Sequence, residues 1–91
     1  MEEKFLEACG EARSKADALG VRIRPVQDLT QARRILSGHR VSDGFDRLAQ
    51  LGRLDLSIEA LAVKKQFTSL FTDEEANNAL MRLLEAGYRF K

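Results

Sequence analysis

Five side chains near the start of the chain, Phe5, Cys9, Ala12, Ala16 and Leu19, recur at spacings of four, three, four and three. A strand turns alternate residues to opposite faces, whereas a helix with 3.6 residues per turn gathers this set on one side. The spacing predicts an amphipathic helix from Glu2 to Leu19. Glu2 and Glu3 stand at its start, where the helix dipole favours negative charge, and Gly20 follows as a cap that tolerates a left-handed backbone. Cys9 lies inside the stripe and reads as a small core hydrophobe rather than a reactive thiol.

The same combination of cap and apolar period recurs down the chain. Asp28 and Gln31 fit a capping box for a second helix whose buried face is Leu29, Ala32, Ile35 and Leu36, ended by Gly38. Ser42 reads as the N-cap of a third helix, with Phe45, Leu48 and Ala49 inward and Gly52 at its end. Ser57, ahead of Asp55 as the alternative, caps a fourth helix with Ile58, Leu61 and Ala62 inward. That helix either breaks near Gln66 or runs on to Phe71. Thr72 and Glu75 make a T-x-x-E capping box for the fifth, with a stripe of Ala76, Ala79, Leu80, Leu83 and Leu84. Gly87 then caps it, and Tyr88 is expected to pack back on Leu83 in a Schellman motif.

Residues 21–26, Val-Arg-Ile-Arg-Pro-Val, alternate apolar and basic, and Tyr88-Arg89-Phe90 repeats the alternation. A minor two-stranded ribbon pairing 21–24 with 88–90 is one expectation, and an unpaired extended connection is the other. The fold class expected is mainly α: one small domain over 1–91, a bundle of about five helices whose caps and periods agree with one another. The expected inner set is Phe5, Cys9, Leu19, Ile35, Leu36, Phe45, Leu48, Leu61, Phe67, Leu70, Leu80, Leu83 and Leu84.

Composition removes several classes of function. Hydrophobic residues make up 44% of the chain and charged residues 32%, too apolar a mix for intrinsic disorder. No apolar run approaches the ~20 residues that cross a membrane. The start, Met-Glu-Glu-Lys-Phe, is acidic and is followed by no apolar leader, so the cytoplasm is the expected compartment. A lone cysteine forms no internal disulfide, and one Cys with one His falls short of the four ligands of a structural zinc site. No phosphate-binding loop, serine-nucleophile motif or zinc-protease motif is present. His39, between Gly38 and Arg40, reads as a surface side chain, and Asp73, Glu74 and Glu75 read as helix capping rather than an acid–base pair. The expectation is a protein that is not an enzyme, with no cofactor, no metal, no small-molecule substrate and no membrane.

What remains is binding to a macromolecule. The net charge of +1 is unevenly spread. Residues 1–12 sum to −3, residues 13–53 to +5 and residues 54–91 to −1, so the middle of the chain is the part suited to an anionic partner. The stretch Leu29-Thr30-Gln31-Ala32-Arg33-Arg34-Ile35-Leu36-Ser37-Gly38-His39-Arg40-Val41-Ser42 resembles the start of a helix-turn-helix of the phage-repressor kind. That resemblance implies a DNA-binding segment at 29–51, with Arg33, Arg34, His39 and Arg40 on phosphates and Asp43 and Arg47 facing the major groove. A protein-interaction or regulatory module is the favoured alternative. Val63, Phe67, Leu70 and Phe71 either complete the core or leave a surplus that a small core need not bury, and such a surplus marks a candidate surface for a protein partner or for self-association.

Overall fold

The computed structural model describes residues 1–38 and 40–88, and among these it forms five α-helices: α1 (Glu2–Ala18), α2 (Leu29–Ser37), α3 (Phe45–Gln50), α4 (Ile58–Ala62) and α5 (Asp73–Glu85). Two single 3₁₀ turns, Leu54–Leu56 and Thr68–Leu70, lie on either side of α4. The fold is therefore mainly α, as the apolar periods require.

The helix ends explain much of the chain's course. At α5 the Thr72 hydroxyl accepts from the Glu75 N–H, and the Glu75 carboxylate accepts from the Thr72 N–H, completing the capping box. Gly87 (φ 83°) takes the left-handed conformation, and the Tyr88 N–H reaches the Leu83 carbonyl, which is the Schellman arrangement. α1 closes in the same way: Gly20 (φ 81°) turns the chain and the Val21 N–H bonds to the Ala16 carbonyl. Gly52 ends α3 as expected.

α2 ends differently. Gly38 has φ −74° and ψ 175°, so it leaves the helix in extended form, and its own N–H bonds to the Arg34 carbonyl. At the other end of α2, Asp28 accepts from the Gln31 N–H as expected, but Gln31 reaches past Asp28 to the Gln27 N–H.

One buried cluster joins all five helices, with Phe5, Cys9, Leu36, Phe45, Leu48, Leu61, Phe67 and Leu83 among its members. Ile35 and Leu70 are half-buried against it, and Leu80 is half-buried on α5. Two residues of the expected inner set are exposed, Leu19 at 41% and Leu84 at 52%. Leu19 falls on the turn that Gly20 creates, and Val21 takes the inward place instead. On α5 the inward face is centred on Glu75, Ala79 and Leu83, flanked by Asn78 and Arg82. The open carbonyl end of α2 draws those two donors inward, and Leu84 turns out.

Three further expectations are corrected. Ser42 is not the N-cap of α3. Its hydroxyl is taken up by Glu59, and Gly44 (φ 77°) caps the helix without a side-chain bond. A Cβ on Gly44 would come within 2.9 Å of Val21 Cγ1, so the glycine also admits the close approach of segment 21–23. The helix after Ser57 ends at Ala62, well before Gln66. The two-stranded ribbon is not formed: there is no strand among the described residues, and 89–90 lie outside them. Residues 21–27 run as an extended connection, with Val21 buried, Ile23 half-buried and Arg22 and Arg24 exposed. The alternation is satisfied by packing onto helices, and the Arg13 Nε–H donates to the Ile23 carbonyl in place of a neighbouring strand.

α4 is the central element, packed against α1, α5 and the Leu54–Leu56 turn. All five of its residues are buried, including Glu59. A carboxylate in that position has to be met by donors, and how it is met shapes the surface described next.

Candidate functional site

Glu59 is fully buried, and among the described residues its carboxylate has three donors. The Ser42 N–H donates to Oε2 at 2.9 Å, the Ser42 hydroxyl donates to Oε1, and Arg82 Nη1 donates to Oε2 at 3.3 Å. Arg82 in turn donates to the carbonyls of Ile35 (3.2 Å), Leu36 (3.3 Å) and Gly38. Asn78 adds a second donor to Leu36 at 3.1 Å. Side chains of α5 therefore supply donors to the carbonyls at the end of α2. The same pair of charges grips the loop that follows: Arg82 holds it at Gly38 and Glu59 holds it at Ser42. A charge pair this enclosed is tolerable only because the acid and base are both hydrogen-bonded further. No buried side-chain nitrogen or oxygen among the described residues lacks a partner.

The clamped loop forms one wall of an open groove of about 540 Å³. The opposite wall is the extended segment at Ile23 and Arg24, and α2 contributes Gln31, Arg34 and Ile35. Ile23, Ile35, Val41 and Ile58 make the floor apolar, while Arg24, Arg34 and Arg40 stand on the rim with one acid, Asp43. Arg24 pairs with Asp43 at 3.3 Å, and both are well exposed. Among the described residues, Arg34 and Arg40 are held in no ion pair. An adjoining groove of about 1000 Å³ runs past Arg13, Asp17 and Arg22 and shares Ile23, Arg24 and Asp43 with the first.

The residues singled out in the sequence are distributed as follows. Arg34 and Arg40 come together on the groove rim. Arg33 does not join them: it turns to α5, where its Nε–H meets both Glu75 oxygens at 3.1 and 3.2 Å. Arg47 is exposed on α3 away from the groove, and His39 lies outside the described residues. α2 packs chiefly on α5, and α3 packs on the Leu54–Leu56 turn. α3 has six residues, begins next to Asp46 and buries Phe45 and Leu48.

Of the apolar candidates, Phe67 and Phe71 lie in the core, Phe67 as the expected inner set had it. Both stack edge-on against the fully buried Phe5, with ring centroids 5.3 and 5.2 Å away. Val63 and Leu70 are half-buried against the same cluster. The 63–71 segment thus spends its aromatic side chains inside the fold.

Ile23, Arg24, Val41, Glu59 and Arg82 were not singled out as site residues by the sequence. The alternation at 21–24 did mark Ile23 as inward and Arg24 as outward. Nothing local marks Glu59 or Arg82, because their significance comes from a loop and a helix end far away in the chain.

The chemistry of the described residues offers little reactivity. No group of three or more His, Cys, Asp or Glu is arranged to hold a metal among them. Burial pushes the Cys9 thiol up to about 12, which keeps it protonated and unreactive at neutral pH. No helix is long and apolar enough to cross a membrane. No protein-family model matches the chain, and neither a curated protein nor a solved structure matches it.

Proposed function

We propose that this chain is a non-catalytic binding module, acting through protein contacts in the cytoplasm, and that the partner seats in the groove between segment 23–24, α2 and the clamped loop 38–43. The observation that carries this reading is the groove's composition: an apolar floor left open to solvent and ringed by arginines. Open apolar surface with a polar rim is the usual anatomy of a protein contact site. Buried Glu59 and Arg82 support the reading, since they fix one wall of the groove before any partner arrives, and pre-ordering lowers the entropy lost on binding.

Duplex DNA is the second reading, favoured by one observation, the shared placement of Arg34 and Arg40 on the rim. The engagement of Arg33 by Glu75 and the shortness of α3 weigh toward protein.

The test is affinity capture with matched variants. Proteins retained by the unaltered chain and by Arg47→Gln, but lost with Val41→Asp, support the groove as the contact site. A capture profile unchanged by Val41→Asp contradicts it. Micromolar binding of duplex DNA at about 50 mM salt, falling steeply as salt rises, would move the assignment to nucleic acid.

A further inference from the structure

The Arg24–Asp43 ion pair joins the two walls of the groove, Arg24 from the extended segment and Asp43 from the loop before α3. It stands where this groove meets its larger neighbour, since both residues line both. At 87% and 53% side-chain exposure, it is a solvated pair. Such a pair is worth at most about 1 kcal/mol and is readily exchanged for another carboxylate. Among the described residues, Asp43 is the one acid lining this groove, against Arg24, Arg34 and Arg40.

The floor asks for apolar side chains and the rim for anions. We propose that the groove takes an acidic amphipathic peptide segment, one of whose carboxylates replaces Asp43 at Arg24 while others meet Arg34 and Arg40. This rests on the protein-binding reading above and adds the chemistry of the partner. A nucleic acid fits less well. Asp43 interrupts the positive charge of Arg24, Arg34 and Arg40 along the groove.

Displacement of Asp43 sets the test. The probe is a fluorescein-labelled helical peptide of about twelve residues with leucines on one face and glutamates flanking them, the helix-in-groove mode. A glutamine-for-glutamate counterpart and a DNA duplex of similar length accompany it. Removing the competing carboxylate with Asp43→Asn should tighten binding of the glutamate peptide about two- to fivefold, the size of one exposed ion pair. Asp46→Asn makes the same change in net charge on α3 and should leave affinity unchanged. Arg34→Gln and Arg40→Gln should each weaken binding. Amide shifts in an NMR titration should centre on Ile23, Ile35 and Val41.

Equal affinity for the glutamine peptide in the same groove would overturn the acidic partner and leave the protein-binding reading standing. Identical gains from Asp43→Asn and Asp46→Asn would overturn the exchange at Arg24. Shifts confined to another face, or preference for the duplex, would overturn both the inference and the reading beneath it. All the substituted residues are exposed, and circular dichroism checks that each variant keeps its fold.

Discussion

Two enclosed regions of this molecule are held by different forces. Around Phe5, rings from the Phe67–Phe71 segment meet α1 edge-on and no polar atom is involved. Across the seam between α2, α4 and α5, the enclosed groups are Glu59, Ser42 and Arg82. Apolar contact is non-directional, so the first region supplies stability without dictating the position of any one loop. Hydrogen bonds to charged groups are directional and costly to leave unmade, so the second region fixes where Gly38 and Ser42 lie. The core makes the domain, and the seam shapes its groove.

The strongest way to break this contrast is to remove one member from each region. Glu59→Ala should cost about 3–5 kcal/mol in urea unfolding, because it strands a buried guanidinium. Phe5→Ala should cost a similar 3–5 kcal/mol through the cavity it leaves. Repair separates them. The double variant Glu59→Leu/Arg82→Met removes both charges and should lose less stability than Glu59→Ala alone, as apolar replacements of buried pairs commonly do. Its groove wall should nevertheless be loosened, visible as faster amide exchange at Ser42. A double variant less stable than Glu59→Ala would show that the seam contributes stability, and the contrast would fail.

Gly44→Ala probes the junction of the two regions. It places a side chain at φ 77° and presses a Cβ onto Val21, so a loss of about 1–2 kcal/mol is expected by thermal or urea unfolding. Thr72→Ala removes one cap of α5 and should cost about 1 kcal/mol in the same measurement. A Gly44→Ala variant as stable as the unaltered chain would mean that segment 21–23 does not pack closely on the loop.

The effect of Cys9 is confined to alkaline pH. Its folded pKa is raised to about 12 from 9.0, so the folded state holds the proton more tightly than the unfolded chain. The associated stability is complete below about pH 9 and is lost as pH rises toward 12. Measured against Cys9→Ala, the unaltered protein should therefore lose extra stability over that alkaline window and show none of this loss at lower pH.

The apolar region was largely legible in the sequence because it is built on local periodicity. The Phe5–Ala16 stripe, the caps at Thr72 and Ser57, and the left-handed turns at Gly20 and Gly87 are written within a few residues of where they act. The exceptions have one source. Helical period identifies a face but not which neighbour turns it, and the carbonyls of α2 turn Arg82 in and Leu84 out. Glu59 was illegible for a related reason: α4 is enclosed on every side, and the rule that polar residues face water does not apply there. Ser42 looked like a cap because serine before a helix commonly is one, but a buried carboxylate seventeen residues on claimed its hydroxyl. Of the groove, the sequence pointed to Arg34 and Arg40 and missed the floor, which comes from segments brought together only by folding.

The central claim is that buried Glu59 holds the groove wall at Ser42. Native-state hydrogen exchange at the Ser42 amide tests it most directly, with the Leu83 amide as reference. The unaltered protein should protect the Ser42 amide far better than that of the exposed residue Arg40, and Glu59→Ala, which removes the acceptor, should abolish that protection while Leu83 stays protected. A Ser42 amide that exchanges as fast as Arg40 in the unaltered protein would contradict the account.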